Sequence, residues 1–376
     1  MSPTEDVYRR LQRHLDRMPI GFPATASGVE LDVLRHFFSP EEAELALQLS
    51  ILPESPERLR KRARRAGLKP EDVPAMLERM ADRGAILRTR IGGQPRYSKL
   101  MLAIGMFEFQ VDRVTPSLAA DVFRYMDEGF RDAFHTTQTS QMRTIPIREE
   151  IIPERGVGTY DQVRELVRSA EGPFAVLHCV CRQSMDLLGQ PCRQTDIRET
   201  CLTLDGIARS SIATGIGREV TREEMLALVE RADREGMVLQ PQNTQAPGFI
   251  CCCCGCCCGV LSSAKKLPRP AEYFDTNYFA EVDRDLCIDC GACIGRCQMG
   301  AIDDASGETM VDRERCIGCG LCVSACAYDG VTLRPRPERK TPPRDQGALY
   351  RKIMVERYGV LGTAGMVARN LLGLKV

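Results

Sequence analysis

Nineteen cysteines stand in this chain of 376 residues, and their spacing limits the chemistry open to them. Cys287, Cys290, Cys293 and Cys297 are spaced C-x2-C-x2-C-x3-C, and Cys316, Cys319, Cys322 and Cys326 repeat that spacing 29 residues later. The repeat runs past the thiols: Val282-Asp283-Arg284 returns as Val311-Asp312-Arg313, Ile288 as Ile317 and Gly291 as Gly320. Three thiolates two residues apart can wrap one face of an iron–sulfur cubane, and the fourth cysteine of each run is carried away to the other cluster. Structural zinc usually takes two C-x2-C pairs separated by a longer loop, a pattern this duplicated triplet does not follow. The expected ligands are Cys287, Cys290, Cys293 and Cys326 for one [4Fe-4S] cluster, and Cys316, Cys319, Cys322 and Cys297 for a second. Gly291, Ala292 and Gly320 are small enough for backbone N–H groups to approach the sulfurs and tune them.

The other cysteines are less regular. Cys179, Cys181, Cys192 and Cys201 give C-x-C-x10-C-x8-C, and Cys251-Cys252-Cys253-Cys254-Gly255-Cys256-Cys257-Cys258 puts seven thiols in eight positions. A free cysteine is a common core residue, which covers Cys192 or Cys201 taken alone. It does not cover the block, because uncoordinated thiols at that density are an oxidation hazard. Thiolates select iron and zinc. Cys179, Cys181, Cys192, Cys201, Cys251, Cys253, Cys254, Cys256, Cys257 and Cys258 are therefore expected to bind metal, holding one or two additional iron–sulfur clusters. The spacing does not apportion ligands among them. Both segments follow apolar stretches, at 174–177 and 249–250, so they are expected to meet in space. His178 could be a ligand, although a histidine beside a buried strand is more often packed.

Composition sets the context. Lys+Arg and Asp+Glu both number 51, so no global attraction to nucleic acid or anionic lipid is indicated. The N-terminus lacks the apolar core of a secretory signal, and no apolar run is long enough to span a bilayer. A cytoplasmic location follows as the expectation, with peripheral membrane association left open. A reducing compartment also disfavours disulfides.

Helix and strand signals arrange the chain into segments. Residues 1–27 read as a polar lead-in. Ser39-Pro40-Glu41-Glu42 is a capping box opening a helix over 41–49. A second helix follows Ser55-Pro56 to about residue 66, and a third opens at 69–72 and ends before Gly84. Gly92-Gly93 between 85–90 and 96–100 is a hairpin signal. Residues 101–145 read as a helical connector, with Leu118, Val122 and Tyr125 on one face. The central cysteine-rich domain, 146–262, mixes strand and helix: a buried strand at 174–179, a helix capped by Thr221, and a strand at 237–239. A linker is expected at 263–279, the duplicated cysteine module at 280–333, and a helical tail at 347–376 broken near Gly362. The fold class is multi-domain α+β.

Three resemblances extend these readings. The helix–helix–helix–hairpin order of 28–100 resembles a winged helix-turn-helix. Residues 280–333, with their two cysteine runs, resemble bacterial-type two-cluster ferredoxins, which implies a βαβ-βαβ pseudo-repeat. This chain departs from that family after the fourth cysteine, where proline is usual and Gln298 and Ala327 stand here. The combination of a winged-helix-like start, a C-x-C-R segment at 179–182, the cysteine block and the terminal module resembles large multi-domain ferredoxin proteins of anaerobic and metabolically versatile bacteria and archaea. In that group the second block position is usually Asn, where Cys252 stands here. The resemblance implies electron transfer and no particular substrate.

The expected function is thus iron–sulfur electron transfer to a partner oxidoreductase, with the winged-helix-like region and terminal helix as docking surfaces. The terminal helix carries an apolar stripe, Tyr350, Ile353, Met354 and Tyr358, that can equally pack back on the chain. One rival is a redox-sensing regulator reading DNA through 70–83, but Glu71, Asp72, Glu78 and Asp82 oppose Arg79 and Arg83 there. The basic cluster Arg58, Arg60, Lys61, Arg62, Arg64 and Arg65 sits on the preceding helix, and Arg88, Arg90 and Arg96 on the hairpin. Another rival is an oxidoreductase built on a special central cluster. Gly156-Val157-Gly158 and Gly215-Ile216-Gly217 lack the remaining glycine of a nucleotide fingerprint, and no P-loop or hydrolase motif is present.

Overall fold

A computed structural model of the chain describes residues 6–135, 137–148, 161–372 and 374. These form a mixed α+β protein of two compact units, Met1–Thr137 with Tyr350–Val376, and Gln138–Leu349. The readings at Gly156-Val157-Gly158 lie outside the described residues.

The first unit is helical with one hairpin: α1 (Val7–Leu15), α2 (Val29–Phe37), α3 (Pro40–Ala46), α4 (Pro56–Arg65), α5 (Val73–Asp82), β1 (Leu87–Ile91), β2 (Gln94–Ser98), α6 (Pro116–Tyr125) and α7 (Arg131–His135). The capping box forms as read: Ser39 Oγ accepts from Glu42 N–H and the Glu42 carboxylate accepts from Ser39 N–H. Helix α3 is shorter than 41–49, and α5 begins at Val73, after a turn at 69–72. Helix α2 has no counterpart in the sequence reading. It opens at Gly28, which has no side chain to cap it, so the usual polar start signal is missing. Gly92 and Gly93 both take positive φ (58° and 76°), the conformation a tight hairpin turn requires. The helical reading of 101–145 holds from α6 to α7. Beyond Ser140 the chain runs extended, and Met142 and Ile145 bridge to Gln242 and Leu239.

The second unit is built on an antiparallel sheet of order β5-β3-β4-β7-β6. Its elements are α8 (Val163–Ser169), β3 (Phe174–His178), α9 (Val180–Leu187), β4 (Glu199–Leu204), α10 (Asp205–Ala213), β5 (Arg218–Val220), α11 (Arg222–Arg234), β6 (Val238–Pro241), β7 (Phe249–Cys253) and α12 (Gly259–Ala264). The start of the cysteine block is therefore strand β7, between β4 and β6. The chain then gives β8 (Tyr278–Val282), α13 (Ala292–Arg296), β9 (Ile302–Asp303), β10 (Met310–Val311), α14 (Leu321–Ala325) and β11 (Val331–Pro335), a strand–helix–strand order traversed twice. β8 pairs with β11 and β9 with β10.

One hydrophobic core runs through both parts of this unit, from Leu202, Leu239 and Ile250 to Ile302, Leu321 and Leu333. The stretch expected as a linker, 263–279, is packed: Phe274, Asp275, Thr276 and Asn277 are buried. Its Pro268 and Pro270 suggested exposure, but Asp275 accepts hydrogen bonds from Asn243 Nδ2 (2.6 Å) and Lys340 Nζ (2.6 Å), so its polar groups are satisfied inside. The terminal helix α15 (Gln346–Leu371) breaks at Gly359 (φ 71°) and not at Gly362. Its Ile353 and Met354 are buried, so that part of the stripe packs on the chain itself. Among the described residues no helix is long and apolar enough to cross a membrane.

Candidate metal centres

Each short helix of the repeated module begins after a glycine of positive φ, Gly291 (71°) before α13 and Gly320 (75°) before α14. A Cβ is disfavoured in that conformation, which is why glycine recurs at the same place in both repeats. The sharp entry swings each run of three cysteines around a cavity. One cavity, about 360 Å3 with its open mouth, is lined by Cys316, Cys319, Cys322 and Cys297. The other, about 310 Å3, is lined by Cys287, Cys290, Cys293 and Cys326. The fourth thiol of each run thus lies at the cavity of the other run.

The walls suit an anionic cluster. Apolar Ala280, Ile302, Ile317 and Leu321 exclude water from the first cavity, and backbone amides aim at its sulfurs. Ala280 N–H donates to Cys316 Sγ (3.3 Å) and Ala301 N–H to Cys297 Sγ (3.2 Å). Such N–H···S bonds stabilise thiolate charge and tune potentials. Burial, reinforced by the charges of Cys297 and Cys316, pushes Cys319 up to about 12. The second cavity has exposed residues on its rim: Cys290 is exposed, and Ile288 and Tyr328 are 57% and 53% exposed.

The sheet sorts the central cysteines. Side chains alternate along a strand, so Cys251 and Cys253 share one face of β7 while Cys252 and Ile250 share the other. Cys201 on β4 is the direct partner of Cys251. Cys201 and Cys253 each act on Cys251, Cys258 acts on Cys253, and Cys181 acts on Cys179, so these thiols are near neighbours. Cys181 feels the charge of Cys258, which closes these six thiols into one basin. The hydrogen bond from Cys181 brings Cys179 down to about 6. Cys252 faces away, beside Leu239 and near Leu202 in the core, and its burial pushes it up to about 12. His178 lies at the β-bulge opposite Glu199.

Four further thiols gather beside this basin, with Cys254 acting on Cys179 across the gap. The chain leaving β7 makes one turn, closed by Cys258 N–H to Cys254 O (3.2 Å), and projects Cys254, Cys256 and Cys257. Cys192 arrives from the loop between α9 and β4. Its sulfur is 3.7 Å from that of Cys254 and 3.8 Å from that of Cys256. Cys256 is 3.5 Å from Cys254 and 3.6 Å from Cys257, and all four sulfurs lie within 4.8 Å of one another. A hydrogen bond from Cys257, then the charge of Arg182, hold Cys254 down at about 4.

Two residues given no site role in the sequence reading tie these centres together. Arg182 is 1% exposed, and its guanidinium donates to Thr200 Oγ1, to Cys252 O (3.1 Å) and to Met237 Sδ (3.2 Å). Its position in the C-x-C-R segment, beside an apolar strand, was the available signal. Gln298 occupies the usual proline position after Cys297. Its Nε2 donates to Gln194 Oε1 (2.9 Å) and Gly236 O (3.0 Å), and its Oε1 accepts from Gly255 N–H (2.8 Å). Gln194 is two residues from Cys192, and Gly255 sits inside the cysteine block. Proline could make none of these three bonds, so this departure from the ferredoxin pattern is an internal joint between module and block.

Comparison with known proteins meets this geometry at one place. Residues 279–331 match the model of the 4Fe-4S dicluster domain. The curated proteins and the solved structures gave no match to the chain. The chain therefore carries an iron–sulfur domain at 279–331, joined through one core to a cysteine-rich sheet.

Proposed function

We propose that this protein is an iron–sulfur electron carrier serving a partner oxidoreductase. Cys287, Cys290, Cys293 and Cys326 hold one [4Fe-4S] cluster, Cys316, Cys319, Cys322 and Cys297 hold a second, and the six-thiol basin holds a further cluster. The observation that carries this reading is the gathering of each quartet around its own cavity, with one thiol supplied from the opposite repeat. Clusters held there take up and release single electrons, while the protein supplies burial, N–H···S bonds and placement. The exposed rim of Ile288 and Tyr328 makes the first quartet the exchange point with a partner. The second quartet, next to Gln298, faces inward toward the cysteine block.

Anaerobically purified protein is expected to contain about twelve acid-labile sulfides per chain and to bleach reversibly with dithionite, four sulfides for each cubane. About eight would empty the central basin of clusters. A colourless, sulfide-free protein would remove the reading altogether.

The proposal does not extend to nucleic acid. Arg88 of the hairpin is paired with Glu78 and Asp82 of α5, and Arg62 of α4 is paired with Glu54. Two of the arginines that could face phosphates are thus held by carboxylates. Neither the oxidised nor the reduced protein is expected to shift genomic DNA fragments at physiological salt. A complex that weakens steeply with added salt would reinstate a regulator.

A further inference from the structure

The four thiols beside the basin differ from every other cysteine group in how closely they converge. We propose that Cys192, Cys254, Cys256 and Cys257 bind a single thiophilic metal ion, zinc or iron, in a sulfide-free tetrathiolate site with buried Arg182 as its counter-charge. The inference rests on reading the central cysteines as metal ligands and divides them into two centres of different kind.

Distance is the first argument. Four sulfurs at about 2.3 Å from one tetrahedral ion lie about 3.8 Å from one another. The four contacts here are 3.5, 3.6, 3.7 and 3.8 Å. A cubane pushes its thiolates farther apart, because each caps a different iron. The same protein supplies the contrast. Among the described residues no other group of three or more cysteines brings its sulfurs within 4.8 Å of one another. The two module quartets stand open around cavities, and the six basin thiols do not all fall within 4.8 Å of one another.

Charge is the second argument. A buried guanidinium needs an anionic partner, since an isolated charge in the interior is costly. Among the described residues Arg182 contacts no carboxylate, and its Nε has no hydrogen-bond partner. The groups that act on its charge are thiols, Cys179 of the basin first, then Cys254 and Cys192 of the proposed site, so Arg182 serves both sets. A divalent ion with four thiolates carries two negative charges, and Arg182 offsets one of them. The backbone of Arg193 and of Cys257 adds stabilisation to the thiolate forms of Cys256 and Cys254. Outer hydrogen bonds of this kind hold metal-binding thiolates in place.

The test is elemental. Iron, zinc and acid-labile sulfide are counted in the anaerobically purified full chain. Cubanes contribute iron and sulfide equally, so the proposal expects iron plus zinc to exceed sulfide by one atom per chain. Equal totals would overturn it. In C256S the excess atom should vanish with sulfide unchanged; loss of iron and sulfide together in fours would instead assign these thiols to a cluster. Should C256S fail to fold, the wild-type spectrum decides. Zinc-edge absorption with a single shell of four sulfurs, or one Mössbauer component of tetrathiolate iron outside the clusters, supports the site. A nitrogen- or oxygen-containing shell, or no such component, refutes it. Arg182→Gln should release the ion to a chelator about tenfold faster or more, and unchanged release would remove Arg182 from the site. Sulfide without excess metal defeats this inference alone, whereas absence of sulfide defeats the electron-carrier reading.

Discussion

Replacing Cys297 by alanine is expected to strip about four iron and four sulfide atoms from the protein, and replacing Cys316 in the same chain should strip no more. Cys297 belongs by sequence to the first cysteine run, yet its sulfur lines the cavity of Cys316, Cys319 and Cys322. Two substitutions at one cluster are not additive, because the first already empties the site. Pairing Cys297→Ala with Cys287→Ala should instead cost about eight of each atom, since the two thiols line different cavities. If each run ligated its own cluster the two pairs would exchange results. The measurement is iron and sulfide per chain in the two double variants, and the opposite order would end the crossed assignment.

Gly255→Val is expected to lower stability by about 3 kcal/mol, the upper range for forcing extra atoms into a packed site. A Cβ at Gly255 would stand 2.2 Å from Gln298 O, a backbone atom that cannot rotate away. Either the turn carrying Cys254, Cys256 and Cys257 or the segment after Cys297 must move. Both are tied into one core, so relief at one end opens a gap at the other. Gln298→Ala is the matched control. It loses side-chain hydrogen bonds but adds no clash, for an expected cost of about 1 to 3 kcal/mol given the buried partners left behind. Urea unfolding of the second unit's absorbance reports both. Electron exchange between centres should slow more in the valine variant, which separates them, than in the alanine variant. Equal stability of Gly255→Val and the wild type would show that the close approach is not needed.

The two-part character of the cysteine-rich unit explains why some features were legible beforehand. A 29-residue repeat of C-x2-C-x2-C-x3-C is local information, because a cubane's reach fixes the spacing of its first three thiols. The capping box at Ser39 and the hairpin at Gly92-Gly93 are local in the same sense: their hydrogen bonds and φ angles are settled within four residues. Helix α2 escaped notice because Gly28 carries no capping side chain. The stretch 263–279 was misjudged because its prolines signal exposure, whereas Asn243 and Lys340, far away in sequence, satisfy Asp275 inside the unit.

The sequence by itself determined that these cysteines form a duplicated run and a dense block, because covalent spacing is written in the chain. The resemblance to large multi-domain ferredoxin proteins, and not the spacing, set Cys252 apart in that block. Only the tertiary structure decided how the block divides. Strand alternation and the Cys201–Cys251 pairing put Cys201, Cys251 and Cys253 on one face of the sheet, and a single turn after β7 brings Cys192 against three others at mononuclear distances. Cys192 and Cys254 are separated by 62 residues, and no local rule of spacing can reveal a meeting that depends on sheet order β3-β4-β7. The role of Gln298 is of the same kind: its identity broke a family pattern, but what it joins became visible only when Gly236, Gln194 and Gly255 were brought around it.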